Sequence, residues 1–233
     1  GLAVKAYREM GGKGEIGITL NMAAMYPASC SPEDRAAADM VHLTNARWYA
    51  DPVLLGGYPK LAADYFKSQG RYPVVEPGDF DIIRQPTDFL GINYYMGFAC
   101  RAAPTARDPD NIEVRFTDKP KTDMGWDIYP QGLYELLKRL SIEYPGVPLF
   151  VTENGAAYDD PVSGTGDAAT VKDQRRQDYL REHFRAAHRL CAEGVPLKGY
   201  YVWSLLDNFE WSFGYGKRFG IVRGDLRNVN LGD

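Results

Sequence analysis

The chain contains little cysteine and little histidine. Its 233 residues include three of each, and Cys30, Cys100 and Cys191 stand far apart with no Cys-x-x-Cys pair. An odd number at wide spacing argues against a disulfide framework or a zinc site and favours a reducing, cytoplasmic location. His183 and His188 lie five residues apart in one helix-like stretch and do not share a face, so we expect no metal site.

Long apolar runs and excess positive charge are also lacking. No segment approaches the roughly 18 consecutive apolar residues of a membrane span, and the net charge of -4 argues against a nucleic-acid partner. No signal peptide is visible. However, the sequence begins at Gly1 rather than at Met, so we expect the natural N-terminus to lie upstream and leave targeting open. Oligomeric state is left open too.

Aromatic residues, in contrast, are abundant. They form 13% of the chain, with sixteen Tyr and four Trp, and the hydrophobic fraction of 45% suffices for one sizeable core. Two interpretations are open. The aromatic side chains can form a large core, or they can line a carbohydrate site, because the C–H faces of sugar rings pack on aromatic faces. Composition does not decide between them.

The order of apolar runs and helix signals predicts strands joined by helical crossovers, which is typical of a parallel α/β sheet. A capping Ser31 followed by Pro32 predicts a helix start. The predicted strands are 15–21, 88–95, 147–152 and 197–204, with a short strand near 219–222. The predicted helices are 1–10, 31–50, 59–69, 125–144 and 170–193. Residues 99–124 and 157–168 are predicted loops.

Polar or aromatic side chains stand at the carboxyl end of each of the four main predicted strands. They are Asn21, Tyr95, Glu153 and Trp203. In a parallel α/β barrel, functional residues gather at the carboxyl ends of the strands. Four such ends on the same side of a sheet therefore predict one shared site.

Glu153 is the candidate nucleophile. It follows the apolar run 147–151 within the segment Val-Thr-Glu-Asn-Gly. Glycoside cleavage with retention needs one carboxylate that attacks the sugar and a second carboxyl group that acts as acid and then base. Alternatively, Glu153 caps a turn or faces solvent. Tyr95 can donate its phenol hydroxyl to Glu153, whereas Tyr94, its neighbour on a strand, must face the opposite side and is a core candidate.

The segment that follows the fourth strand supplies further candidates. Trp203 can form a floor under a sugar ring or can fill a barrel. Glu210 and Trp211 can bind hydroxyl groups, the carboxylate by accepting two O–H bonds. Their alternative is a salt-bridged loop in which Glu210 pairs with Lys217 or Arg218.

These segments, together with 173–179, 194–200 and 214–221, resemble the retaining β-glycosidases of glycoside hydrolase family 1, the β-glucosidase family. The resemblance runs along nearly the whole chain. It implies an α/β fold, a (β/α)₈ TIM barrel of which residues 1–233 form one partial domain that supplies strands five to eight. It implies Glu153 as nucleophile, Tyr95 as its hydrogen-bond partner, and neither metal nor cofactor. The implied substrate-binding residues are Trp203, Glu210, Trp211, Phe219, Trp126 and Asn21.

The chain departs from the family pattern in one large respect. The acid/base glutamate of a Thr-Asn-Glu-Pro segment is absent, so we expect a fragment of a longer coding sequence, truncated at both ends and inactive alone. The parent enzyme is predicted to hydrolyse β-D-glucosides. Glu210 argues against 6-phosphosugar substrates, because a carboxylate repels a phosphate. Galactoside or fucoside preference and the aglycone stay open.

Two other functions remain as alternatives. One is a non-catalytic half-barrel from a split or decayed gene that binds sugar or a partner chain. Its two open sheet edges would favour self-association or poor solubility. The other is an unrelated TIM-barrel enzyme that uses Glu153 as a general base.

Overall fold

Short strands and longer helices alternate along the chain. The computed structural model describes residues 1–105 and 111–224, and at Asp167 it describes the backbone alone. The helices are α1 (Leu2–Glu9), α2 (Pro32–His42), α3 (Trp48–Leu54), α4 (Lys60–Ser68), α5 (Asp79–Ile83), α6 (Pro130–Glu143) and α7 (Gln174–Ala192). The strands are β1 (Ile18–Asn21), β2 (Ala24–Pro27), β3 (Leu90–Asn93), β4 (Gly97–Ala102), β5 (Ile112–Arg115), β6 (Leu149–Asn154), β7 (Val162–Ser163), β8 (Thr170–Val171) and β9 (Leu197–Val202).

A four-stranded sheet in the order β1-β3-β6-β9 forms the centre of the structure. Every pair in it is parallel, and one register row runs through Leu20, Ile92, Val151 and Tyr200. Each strand pairs with the next strand of this sheet in chain order, as in a section of a parallel barrel. The predicted parallel sheet with helical crossovers is therefore confirmed, and all four carboxyl ends lie at the same edge.

The hydrophobic core lies between this sheet and α6. Leu133, Leu136, Leu137 and Leu140 of α6 are all buried and belong to one cluster with the apolar residues of the strands. Their i, i+3, i+4, i+7 spacing is the pattern that predicted this helix. Burial of each leucine side chain contributes about 1.5–3 kcal/mol relative to exposure, so this stripe fixes the helix on the sheet.

The helix predicted over 31–50 begins where its capping signal lies. The Ser31 side chain accepts a hydrogen bond from the Asp34 backbone N–H at 3.1 Å, and Pro32 occupies the first turn. The helical path then continues through a π-helical segment, Leu43–Arg47, into α3. It ends at Leu54, a few residues beyond the predicted boundary.

The prediction that 99–124 is a loop is wrong where β4 and β5 lie and holds for 103–105 and 116–124. Strands β4 and β5 pair antiparallel there, and β4 pairs parallel with β2 in a second, three-stranded sheet. The cause is tertiary packing. Cys100 is buried in a cluster with Ala37, Ala38 and Val41 of α2, and the Ala102 N–H donates to the Asp34 carboxylate at 2.9 Å. Residues 106–110 lie outside the described residues.

Three smaller expectations also need correction. The predicted loop 157–168 contains β7 and a short 3₁₀ helix, Gly166–Ala168. Because β8 pairs with β7, α7 begins at Gln174 rather than at 170. The strand expected near 219–222 is reduced to a parallel bridge between Leu206 and Val222, since its three main-chain hydrogen bonds are confined to Ser204 and Leu205.

Candidate active site

The four strand ends of the central sheet meet around one cleft of about 960 Å³. Seven of the eight candidate site residues line it, namely Asn21, Tyr95, Trp126, Glu153, Trp203, Glu210 and Trp211. The eighth, Phe219, is 1% exposed and lies behind the cleft wall, with its ring 6.1 Å from the ring of Tyr95. The geometry thus gathers residues that are up to 190 positions apart in sequence, from Asn21 to Trp211.

Tyr95 and Glu153 form the central polar contact of the cleft. The Tyr95 hydroxyl donates to Glu153 Oε2 at 2.6 Å. Burial, and secondly this hydrogen bond, raise the pKa of Tyr95 well above its usual value of 10. Tyr95 therefore stays protonated and acts only as a donor, so it fixes the carboxylate rather than serving as a base. The bond occupies Oε2 and leaves Oε1 for a ligand.

The residue after Glu153 anchors both members of this pair. Asn154 is fully buried, and its Nδ2 donates to the Tyr94 carbonyl at 2.8 Å and to the Tyr179 hydroxyl at 3.0 Å. The Tyr200 hydroxyl donates to Asn154 Oδ1. One amide thereby ties together β6, β9, α7 and the segment that carries Tyr95. Buried polar groups with complete hydrogen bonding hold a single geometry.

Tyr94 and Tyr95 face opposite sides of their segment, as strand alternation predicts. Tyr94 is fully buried in the core and donates to the Tyr129 carbonyl at 2.7 Å. Tyr95 instead faces the cleft, where its ring lies 5.4 Å from that of Trp126.

Glu210 is a buried carboxylate with few partners. It is 8% exposed and accepts one hydrogen bond, from Asn208 Nδ2 to its Oε2 at 2.8 Å. No ion pair to Glu210 is present in the described ranges, because Arg218 pairs with Asp207 at 2.9 Å and Lys217 binds the Asp123 carbonyl. The salt-bridged loop considered as an alternative is therefore wrong for these residues. A buried carboxylate is costly unless donors complete its shell, so this site favours a ligand with O–H groups.

Trp203 reaches the cleft because the ends of β6 and β9 approach closely. The Trp203 N–H donates to the Asn154 carbonyl at 2.9 Å. A Cβ atom at Gly155 would stand 1.8 Å from the Trp203 carbonyl oxygen, so only glycine fits there. Trp211 also lines the cleft and is 85% exposed.

Six further residues line the cleft that the sequence reasoning did not include. They are Asn93, Met96, Met124, Asn208, Phe209 and Phe213. Asn93, Asn208 and Phe209 lie within the motifs that carried the family resemblance, so their place in these motifs could have identified them as cleft residues. Met124 lies in a turn and Phe213 in a short 3₁₀ helix, Trp211–Gly216, and no local signal marked either residue.

The described residues provide no set of metal ligands. No three His, Cys, Asp or Glu side chains there come together in a way that would hold an ion. All three cysteines are free thiols. Over the same ranges, we find no helix whose length and hydropathy suit a membrane crossing.

The comparisons with known proteins agree with the geometry. The profile of glycosyl hydrolase family 1 matches residues 1–231. β-Glucosidase A of Acetivibrio thermocellus is 43% identical over 95% of this chain and 49% of its own length. The 6-phospho-β-glucosidase GmuD of Bacillus subtilis is 34% identical over 98% of this chain and 50% of its own length.

A solved structure shows the shared fold. The family 1 β-glucosidase from Thermotoga maritima has a TM-score of 0.86 and 43% identity, over 96% of this chain and 48% of that one. Other structures of β-glucosidase from this organism contain glucoimidazole or castanospermine. The chain spans about half the length of the curated relatives it matches. Its fold is that of half a (β/α)₈ barrel, as predicted, and the chain belongs to glycosyl hydrolase family 1.

Proposed function

We propose that this chain carries the nucleophile-bearing half of a retaining β-glycosidase that hydrolyses β-D-glucosides. The single observation that carries the proposal is the 2.6 Å hydrogen bond from Tyr95 to Glu153 at the base of a cleft with aromatic walls. It presents a carboxylate oriented by a permanent donor to the space a sugar ring would fill.

In this mechanism, a carboxylate oxygen of Glu153 attacks the anomeric carbon of the sugar. The bond from that carbon to the aglycone oxygen breaks as the new ester bond to Glu153 forms. The leaving oxygen takes its proton from a second carboxyl group, and a water molecule later hydrolyses the glycosyl ester. Trp203 would pack beneath the ring, and Glu210 would accept bonds from its hydroxyl groups.

The second carboxyl group is not among the described residues of the cleft. Glu153 and Glu210 are the only acids that line it there, and Asn208 holds one oxygen of Glu210, so we assign Glu210 to binding. General acid catalysis contributes ~10²–10⁴-fold. We therefore expect the isolated chain to hydrolyse ordinary β-glucosides very slowly.

Glu210 also indicates the charge of the substrate. A buried carboxylate without a cation beside it attracts hydroxyl donors and repels a phosphate group. This supports neutral glucosides over the 6-phosphorylated class named for the Bacillus subtilis relative. The three free thiols support a cytoplasmic location, which stays a prediction.

Binding of an unphosphorylated inhibitor tests the proposal without requiring turnover. We expect glucoimidazole to bind the chain in isothermal titration calorimetry and Glu210→Gln to weaken binding about tenfold, since hydrogen bonds to charged groups are worth about 1.5–3 kcal/mol. A 6-phosphorylated analogue should bind less tightly than the neutral compound. A folded chain that binds neither ligand, or that prefers the phosphorylated one, would contradict the proposal.

A further inference from the structure

Asn208 stands between Asp207, which anchors a loop, and Glu210, which we assign to ligand binding. It is in the segment that follows β9, lines the cleft, and stands two residues before Glu210. Its Nδ2 donates to Glu210 Oε2 at 2.8 Å, while its Oδ1 lies 3.4 Å from the Ser204 hydroxyl. The NH₂ group of the Asn208 amide therefore faces the Glu210 carboxylate.

The loop itself is anchored by the neighbouring residue. The Asp207 carboxylate is 1% exposed and pairs with Arg218 at 2.9 Å. It also accepts from the Gly220 N–H and the Gly224 N–H, each at 3.0 Å. These three contacts hold the loop without help from Asn208. Because Asp207 anchors the loop, the Asn208 side chain is not needed for that role and can face the cleft.

The choice of an amide partner matters for the charge of Glu210. An amide N–H fixes one oxygen of the carboxylate but carries no charge, so the negative charge is not neutralised. Within the described residues, Glu210 Oε1 accepts no hydrogen bond, and it is the oxygen left for a ligand. A lysine or arginine in the same place would compete with the ligand for this charge.

We infer that Asn208 is a positioning residue that sets the orientation of Glu210. Through that orientation, it determines how strongly the cleft discriminates between sugars that offer a hydroxyl group to Glu210 and sugars that lack it. This inference rests on the proposed function, since it assigns Glu210 to ligand binding. Asn208 acts through Glu210 and need not touch the ligand.

The test is the coupling between Asn208 and individual sugar hydroxyls. Glucoimidazole and its 4-deoxy and 6-deoxy forms are titrated against the whole chain and against Asn208→Ala. We expect Asn208→Ala to weaken glucoimidazole binding about tenfold. For the deoxy form that lacks the hydroxyl read by Glu210, the loss should be less than about threefold, because the interaction that Asn208 supports is already missing.

Matched controls separate positioning from loss of structure. Asn111→Ala removes a similar side-chain amide bond, 2.9 Å to the Ala103 carbonyl, outside the residues that line the cleft, and should leave all three affinities unchanged. Asn208→Asp keeps the side-chain size and replaces the donor by a like charge, so it should weaken glucoimidazole binding by more than tenfold. Thermal unfolding of each variant confirms that the folded state is the one titrated.

The outcomes distinguish this inference from the proposed function. If the wild-type chain binds glucoimidazole and Asn208→Ala weakens all three ligands by one common factor, or by none, the inference is overturned and the proposed function stands. If the folded wild-type chain binds no glucoimidazole, the proposed function itself fails and the inference fails with it.

Discussion

The two sides of the cleft are built differently. On the nucleophile side, Tyr95 and Glu153 are joined by a short hydrogen bond, and the fully buried Asn154 ties their segments to β9 and α7. On the loop side, residues 204–216, Glu210 is buried with one amide partner, whereas Trp211 is 85% exposed. The comparison teaches that residues of this chain hold the proposed nucleophile, Glu153, by a hydrogen-bonded network, while the surface proposed to bind the sugar has few such contacts among the described residues.

The largest expected effect comes from breaking the anchor of the nucleophile side. Asn154→Ala leaves the hydroxyls of Tyr179 and Tyr200 and the Tyr94 carbonyl without their buried partner. Each such group costs about 1–3 kcal/mol, so we expect the free energy of unfolding to fall by about 3 kcal/mol or more in urea titrations. Asn111→Ala, the matched control, should cost less than about 1 kcal/mol. Equal losses of stability in Asn154→Ala and Asn111→Ala would show that Asn154 does not anchor these segments.

A second effect, of similar size, depends on pH. His183 is fully buried against Tyr179, with its Nδ1 2.8 Å from the Tyr179 carbonyl. Burial lowers the pKa of His183 from 6.5 to about 4. Between these values the unfolded chain binds a proton that the folded chain does not. Stability from this group is therefore complete above pH 6.5 and is lost as the pH falls toward 4, by about 3 kcal/mol.

His183→Phe isolates this contribution, because phenylalanine keeps an aromatic ring against Tyr179 and does not titrate. The free energy of unfolding should fall less between pH 7.5 and pH 4.5 in the variant than in the wild type. Carboxylates also titrate in this interval, but they do so in both proteins and cancel in the difference. Parallel pH profiles would show that His183 does not titrate as described.

The third prediction sharpens the role of Tyr95. Tyr95→Phe removes the donor to Glu153 and keeps the ring contacts with Trp126 and Phe219. We expect covalent labelling of Glu153 by an activated 2-fluoroglucoside to slow about tenfold, while the melting temperature changes little. Unchanged labelling would mean that the hydrogen bond does not orient the nucleophile.

The smallest effect on stability should come from the loop side. Trp211→Ala removes a side chain that is 85% exposed, so the free energy of unfolding should change by no more than about 0.5 kcal/mol. Glucoimidazole affinity should fall, because Trp211 lines the cleft. A large loss of stability would show that the loop side is packed as firmly as the nucleophile side.

Local signals predicted the elements that frame the site. Each of these signals lies within a short stretch of sequence, and each predicted an element that the structure contains. They are the Ser31 cap, the leucine stripe of α6 and the four apolar strand runs. Strands β4 and β5 were missed because β4 packs on α2 and pairs with β2, which are distant in sequence, and β5 in turn pairs with β4.

In the site, too, some contacts could be predicted from local signals and others depend on the tertiary fold. The pairing of Tyr95 with Glu153 was foreseeable because adjacent parallel strands end at the same edge. The partners of Asn154 were not, since Tyr179 and Tyr200 lie 25 and 46 residues further along and meet it only when α7 and β9 are in place. The bond from Asn208 to Glu210 likewise depends on a loop conformation that Asp207 and Arg218 impose.

Covalent trapping tests the central claim most directly. With 2,4-dinitrophenyl 2-deoxy-2-fluoro-β-D-glucoside, the dinitrophenolate departs without protonation, so Glu153 alone can displace it and keep the fluorosugar as an ester. We predict one fluoroglucosyl group per chain by intact mass, located on Glu153 by peptide mapping and absent from Glu153→Gln. A folded chain that binds glucoimidazole but stays unlabelled, or that carries the label on another residue, would contradict Glu153 as the nucleophile.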